Sequence, residues 1–180
     1  MRTIRVLLLV WLGLGVLPGC LGRAISEGVG TVSGAKGGYS QVVPLAYSSG
    51  GGALSAYSRF ELGAIRDDFG GKVPPELLTM LPGKFQEELA RLRLPDEPGG
   101  KVLLIRGAIL HYEESGLFGN VFGPLEEVIA RIELVDKASG KVLGAANCIG
   151  RTRETVNLGV ERKAEGLALA IAKYIADHYR

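Results

Sequence analysis

Two kinds of hydrophobic periodicity follow one another along the chain and predict an alternation of strands and helices. A partly alternating run over residues 57–65 predicts a first strand. Apolar side chains then recur every three or four residues, which is typical of an amphipathic helix with one buried stripe. The stripe consists of Leu78, Leu81, Phe85, Leu89 and Leu92. Because Pro82-Gly83 interrupts it, we expect a kink or two short helices.

Three segments in the second half of the chain have strand patterns. Residues 101–112 are apolar on both faces, apart from Arg106, which predicts a central strand covered at least partly on each side. Residues 126–136 alternate between apolar and polar positions and predict a half-buried strand. A turn at residues 136–141, in which Gly140 is free to take a positive φ, predicts a hairpin that returns over residues 142–151.

The last predicted element is a helix over residues 160–179. Its apolar stripe consists of Val160, Ala164, Leu167, Ala168, Ile171 and Ile175. The element order is therefore β-α-β-β-β-α. This order predicts an α/β domain of the α+β kind, with a largely antiparallel sheet of four or five strands and two amphipathic helices on one face. We assign residues 56–180 to this single globular domain.

The first 55 residues have a different pattern. Arg2 and Arg5 precede an apolar run that is too short to span a bilayer, so residues 1–19 are predicted to be a secretory signal peptide. Residues 20–55 are rich in glycine and serine, which predicts a flexible tether. Within this tether, residues 41–45 could form a short strand or a docked arm.

The end of the leader, Leu17-Pro18-Gly19-Cys20, resembles the processing site of bacterial lipoproteins. The resemblance implies that Cys20 is lipidated after cleavage and binds the protein to a membrane. Pro18 is an unusual residue at its position in this motif. Leu21 stands where an Asp would direct retention in the inner membrane, so the resemblance implies an outer-membrane protein that faces the periplasm.

Charge and cysteine content narrow the function classes. The chain carries 21 basic and 19 acidic residues, and the leader accounts for the excess through Arg2 and Arg5. A balanced mature chain lacks the strong positive field that a nucleic-acid-binding protein needs, so no nucleic-acid partner is expected. With Cys20 lipidated, Cys148 has no partner for a disulfide, and its apolar neighbours predict a buried thiol.

No motif in the sequence predicts catalysis. The two histidines, His111 and His178, lie far apart in the chain and outside any zinc-binding spacing. A strand-end position is expected for His111, and a favourable helix C-terminal position for His178. No serine-hydrolase elbow occurs, and adjacent carboxylates in strands point to opposite faces. We therefore expect neither an enzyme nor a metal or cofactor site.

One loop is unusually apolar. It lies between the two strands at residues 101–112 and 126–136, and its apolar residues are Leu117, Phe118, Val121 and Phe122. Such a loop either covers the core or forms an interface with an envelope protein, another copy or the membrane surface.

The whole pattern resembles the bacterial lipoproteins grouped as domain of unknown function 4410. The resemblance rests on the lipoprotein site and on Leu103-x-Ile105-x-Gly107-x-Ile109. It also includes the turn Asp136-x-x-Ser139-Gly140-Lys141 and the terminal helix. These domains are similar to periplasmic domains of the curli secretion channel lipoprotein. The resemblance implies a non-enzymatic binding or assembly module that acts on an envelope partner or on itself. A module for a small apolar or glycan ligand, held between helices and sheet, is the alternative.

Overall fold

A computed structural model describes residues 36–46, 52–113, 126–152 and 159–180. The elements run β1 (Lys36–Val43), β2 (Arg59–Asp67), α1 (Pro75–Arg91), β3 (Val102–Tyr112), β4 (Glu126–Asp136), β5 (Val142–Thr152) and α2 (Gly159–Tyr179). The predicted fold class is confirmed, and the alternation in the sequence predicts the bounds of β4 without error.

The five strands form one mixed sheet in the order β1-β5-β4-β3-β2. The pairs β1·β5, β4·β5 and β3·β4 are antiparallel, whereas β2 and β3 are parallel. Parallel pairing follows from the connection, because α1 lies between these two strands and carries the chain back to the start of the sheet. At the β4–β5 hairpin, Gly140 has a φ of 71°, as the turn requires.

Both helices cover the same face of the sheet. Helix α2 packs on β1, β5, β4 and α1, while α1 packs on α2 and β2. The inward side chains of β3 and β4 are fully buried beneath the helices; they include Leu103, Ile105, Ile109, Val128, Ala130, Ile132 and Leu134. The predicted stripe of α2 is buried from Ala164 to Ile175.

Glycines let α2 approach β1 and β5 at backbone distance. A Cβ on Gly150 would lie 2.5 Å from the amide nitrogen of Leu167, and a Cβ on Gly37 would lie 2.5 Å from the carbonyl oxygen of Gly166. Both distances are far below van der Waals contact. At these two positions the helix therefore rests on the backbones of the strands.

The folded domain begins before residue 56, so the predicted boundary of the tether needs correction. Strand β1 falls within residues 20–55 and pairs with β5 from Lys36 to Gln41 and, after a shift in register, at Val43. Leu45 and Leu54 also belong to the core. The glycine content that locally predicts a flexible chain is what allows the close contact between Gly37 and α2.

Two further expectations differ from the structure. Helix α1 runs through Pro82 as one element rather than two, and both Pro82 and Gly83 lie on its exposed side. Within the described residues, helices cover only one side of β3, and the other side is open at Arg106 and Leu110. None of the helices in the described ranges is long and apolar enough to cross a membrane.

Candidate interaction surface

The side of the sheet opposite the helices is not covered by a helix in the described part of the chain. We call it the open face. It displays the outward positions of β2 to β5, which mix charged with aliphatic side chains. The aliphatic members include Leu104, Leu110, Ile129 and Ile149, and Leu110 is 41% exposed.

Oppositely charged side chains pair across neighbouring strands of the open face. Arg106 lies opposite Glu133, and Glu127 lies opposite Arg151, in the strand register. The N–O distances are 2.9 Å for Arg106–Glu133 and 3.1 Å for Arg151–Glu127. A further pair, Lys137–Glu61 at 2.5 Å, joins the turn after β4 to β2, on the far side of β3. The hydrogen bond from Lys137 lowers the pKa of the Glu61 carboxyl. These cross-strand pairs fix the charge pattern that a partner would meet.

A depression of about 560 Å³ lies on the open face over β2, β3 and β4. Its floor contains small residues, among them Gly63, Ala64 and Ala108. Gly63 and Ala64 belong to an irregularity in the β2–β3 pairing, and such bulges bend a strand away from its neighbour. Three guanidinium groups line the depression, those of Arg66, Arg106 and Arg131.

Arg131 differs from the other two arginines of the depression in its partner. Arg66 lies 3.5 Å from the Asp68 carboxylate, and Arg106 pairs with Glu133. Arg131 donates from Nε to the Asn147 amide oxygen at 3.0 Å, and in the described ranges it has no carboxylate within salt-bridge distance. Its positive charge is therefore the least compensated of the three.

The turn after β4 is held by a buried carboxylate. Asp136 accepts hydrogen bonds from Lys101 and Tyr57, each at 2.8 Å, and from the amide and hydroxyl of Ser139. The hydrogen bond from Lys101 contributes most to keeping the pKa of Asp136 well below its usual range. These hydrogen bonds occupy every acceptor site of the carboxylate. The cluster therefore stabilises the fold and has no free acceptor for a ligand.

A second polar cluster fixes β1 to the end of α2. The Tyr39 hydroxyl donates to Asp177 at 2.9 Å, and Gln41 contacts the His178 ring at 2.6 Å. Burial, together with the bond to Asp177, raises the pKa of Tyr39 to about 12. His178 lies at the helix C-terminus as expected, with its other ring nitrogen 2.8 Å from the Tyr174 carbonyl oxygen. The ring is engaged in holding the edge strand.

The sequence reasoning missed a buried lysine. Lys163 on α2 is 2% exposed, and its ammonium donates to the Glu113 carbonyl at 2.5 Å and lies 4.4 Å from the centroid of the Tyr112 ring. Its position four residues before Leu167 and on the same helical stripe is the signal that could have placed it inside. It connects the start of α2 to the end of β3.

The structure does not bring the other candidate residues into one site. Cys20 and the apolar loop residues Leu117, Phe118, Val121 and Phe122 lie outside the described residues. His111 packs against Phe69, with ring centroids 5.4 Å apart, on a different element from His178. Cys148 is fully buried, and burial raises the pKa of its thiol, so the thiol is unreactive.

Comparison with known proteins gives a fold but no family. No protein-family model matches the chain, and no curated protein matches its sequence. A variant of PelC from Paraburkholderia phytofirmans, crystallised as a dodecamer, has a TM-score of 0.52 at 15% identity, over 80% of this chain and 99% of that one. The described domain shares its fold with PelC.

Two further solved structures are less similar. A second PelC dodecamer from the same organism gives a TM-score of 0.49 at 14% identity, over 81% of this chain and 99% of that one. A minor lipoprotein from Acinetobacter baumannii gives 0.26 at 13% identity, over 67% of this chain and 89% of that one. The shared fold rests on the first PelC structure alone. The resemblance to domain of unknown function 4410 stays a prediction.

Proposed function

We propose that the protein is a lipid-anchored, periplasmic protein of the outer membrane that acts as a non-enzymatic assembly module, with a second copy of itself as its first partner. The observation that carries the proposal is the open face, which leaves one side of a five-stranded sheet without helices in the described part of the chain. Sheets of this size usually bury both faces or keep one face polar. Here the face combines ordered charge pairs with exposed aliphatic side chains.

The fold neighbour supports self-association. PelC, which has the same fold, crystallised as a dodecamer. A domain that repeats its own contacts builds such an assembly without a second protein. Lipid anchoring would favour the same outcome, because confinement to a membrane raises the effective concentration of each copy for its neighbours.

The distribution of polar groups supports a role in binding rather than catalysis. The described ranges contain no group of three or more His, Cys, Asp or Glu side chains that could hold a metal ion. The most polar buried cluster, around Asp136, is saturated by its own hydrogen bonds. An active site needs a titratable group that is free to meet a substrate, and these clusters do not supply one.

The anchor can be tested with the two cysteines of the chain. In cells fed a labelled fatty acid, the full-length protein should carry the label and sediment with outer membranes. Cys20→Ala should abolish both, while Cys148→Ala serves as the matched control and should keep the label. An unlabelled wild-type protein would contradict the anchoring part of the proposal.

The assembly can be tested in the same cells. A membrane-permeable lysine crosslinker should give covalent species that contain this chain at multiples of its own mass. Capture only with proteins of different mass would contradict self-association and favour a different envelope partner.

The depression on the open face favours ligand binding as a second candidate function. Its guanidinium groups and small aliphatic floor suit the hydroxyl or carboxylate groups and the apolar ring faces of a glycan. It lies on the opposite side of the sheet from the site expected between helices and sheet, where the core is filled. Calorimetry with neutral and uronate oligosaccharides tests this function, with Arg131→Gln expected to weaken binding. No heat change with either would contradict it.

A further inference from the structure

The sheet of this protein has two edges with different chemistry. Strand β1 forms one edge and β2 the other. An edge strand has backbone N–H and C=O groups that can pair with another chain, and proteins usually block such edges with charges, bulges or prolines. The two edges can therefore be compared for these blocking features.

The edge at β2 carries more blocking charges than the edge at β1, while each of the two strands has one irregularity in its register. Strand β2 contains an irregular register between Leu62 and Ile65. Its charged residues are Arg59, Glu61, Arg66 and Asp67. Strand β1 has a single charge, Lys36 at its first residue, and keeps a regular register with β5 as far as Gln41.

Contacts with α2 also hold β1 in the extended conformation that a partner strand would pair with. On the helix side, Gly37 lies against the backbone of α2, and Tyr39 and Gln41 bond to Asp177 and His178. Among the described residues, the backbone of β1 pairs with no strand other than β5. An edge ordered before binding loses little conformational freedom when a partner strand is added.

The exposed residues of β1 are the polar Ser40 and Gln41 and, at the end of the strand, two valines. Val42 and Val43 are 42% and 48% exposed, among the most exposed large hydrophobic residues of the described chain. At the other end of the strand, a Cβ on Gly38 would meet nothing within 4 Å, so space is open above this residue. One end of β1 thus carries unfilled space and the other carries uncovered side chains.

We propose that β1 pairs antiparallel with β1 of a second copy of this chain, so that two sheets continue across a two-fold axis. This inference rests on the proposed function and names the surface through which self-association begins. Antiparallel pairing centred near Ser40 brings Val42 of one copy opposite Gly38 of the other, and Val43 opposite Gly37. The pair is self-complementary, as a two-fold interface requires.

Charge decides between the two possible directions of pairing. Parallel pairing would place the two Lys36 ammonium groups side by side, which is unfavourable for like charges directly opposite one another. Antiparallel pairing puts them at opposite ends of the new ladder, roughly 27 Å apart at about 3.4 Å per residue. The two-fold arrangement therefore keeps the two Lys36 side chains apart.

A cysteine at the centre of the strand tests the pairing directly. We would introduce Ser40→Cys into the full-length chain and oxidise membranes that contain it. Residues opposite each other in an antiparallel pair lie close enough for a disulfide, and a short bis-maleimide tolerates a shift of one residue. We expect most of the variant as a covalent dimer. The wild-type chain, whose Cys148 is buried, gives the background. No increase over that background with either reagent would overturn the proposal.

Matched charge substitutions separate this inference from the proposed function. Val42→Lys adds a charge to the edge, and Leu110→Lys adds one to the open face at nearly the same exposure, 42% against 41%. In detergent-extracted full-length protein, Val42→Lys should at least halve the assembled mass, while Leu110→Lys should preserve the β1 dimer. Circular dichroism melts check that both variants fold.

The outcomes distinguish the two claims. If Val42→Lys keeps the full assembled mass and Ser40→Cys gives no dimer, β1 is not the interface, while the proposed self-assembly stands. If the wild-type chain is monomeric at every concentration, the proposed self-assembly fails as well.

Discussion

The two faces of the sheet are made from alternate residues of the same strands, yet they have opposite physical character. On the helix-covered face, Ile132 and Ala146 lie opposite each other and are fully buried. One residue away on the open face, Arg131 and Asn147 lie opposite each other and are bound by a hydrogen bond of 3.0 Å. Alternation along a strand separates a face that determines the fold from a face that is available to a partner.

The two faces also differ in how well they tolerate amino-acid substitutions. Helix α2 contacts the backbones of β1 and β5 at Gly37 and Gly150, so the covered face has no room there for even one methyl group. The charge pairs of the open face are partly solvated; Arg106 and Glu133 are 50% and 40% exposed. We therefore expect substitutions on the covered face to affect stability and those on the open face to affect association.

The largest effect should come from filling a glycine contact. Gly150→Val places a side chain against the amide of Leu167 and the carbonyl of Lys163, and backbone atoms cannot move aside. We expect the free energy of unfolding to fall by roughly 5 kcal/mol, near the upper limit for one substitution. Gly38→Val, where nothing lies within 4 Å of a Cβ, should change stability by less than about 0.5 kcal/mol. Urea denaturation measures both, and equal losses would contradict the backbone contact.

A smaller loss should follow from truncating an isoleucine on the covered face. Ile132→Ala removes a fully buried side chain of β4 and should cost about 3 kcal/mol through lost burial and a cavity. Ile129→Ala on the same strand faces the open side, is only partly buried, and should cost clearly less. If thermal denaturation gave the same loss for both, the distinction between the two faces would fail.

Acid should weaken the covered side of the β4–β5 hairpin through Asp136. Its folded-state pKa lies below the unfolded value of about 3.9, so its contribution is present above that pH and is lost as pH falls toward the folded pKa. We expect the stability of the wild-type protein to fall below about pH 4, and Asp136→Asn to flatten that dependence while lowering stability at neutral pH. Denaturant midpoints from pH 2 to pH 7 measure this, and identical profiles for the two proteins would disprove it.

The smallest effect belongs to a charge pair of the open face. A double-mutant cycle with Arg106→Gln and Glu133→Gln should give a coupling free energy below about 1 kcal/mol that decreases with added salt, because both groups are exposed. A coupling as large as the Ile132 effect would mean that this face is buried within the monomer.

Where neighbouring residues decide the structure, the sequence predicts it well. The alternation in β4 predicts its bounds, and the three-and-four spacing of α2 predicts its buried stripe, because both patterns record which side faces the core. Arg106, the exception in the apolar pattern of β3, lies on the open face and pairs with Glu133. The turn at Gly140 is likewise encoded in a few adjacent residues.

Where distant residues decide the structure, the sequence is a poorer guide. Strand β1 is glycine-rich and resembles a linker, yet its contact with Gly166 and its bond to Asp177 hold it in the sheet. Lys163 is buried because Glu113 and Tyr112, about 50 residues earlier, are placed around its ammonium. The apolar loop with Phe118 and Phe122 lies outside the described residues and stays a predicted interface. The open face exists only once the strands are aligned, so the sequence alone does not reveal it.

The most direct measurement of the central claim is the mass of the detergent-extracted full-length protein by light scattering, corrected for bound detergent, over a range of concentrations. Self-assembly predicts one defined multiple of the 19.1 kDa chain, reduced by the mass of the removed leader, that persists on dilution. A single chain at every concentration would contradict the account.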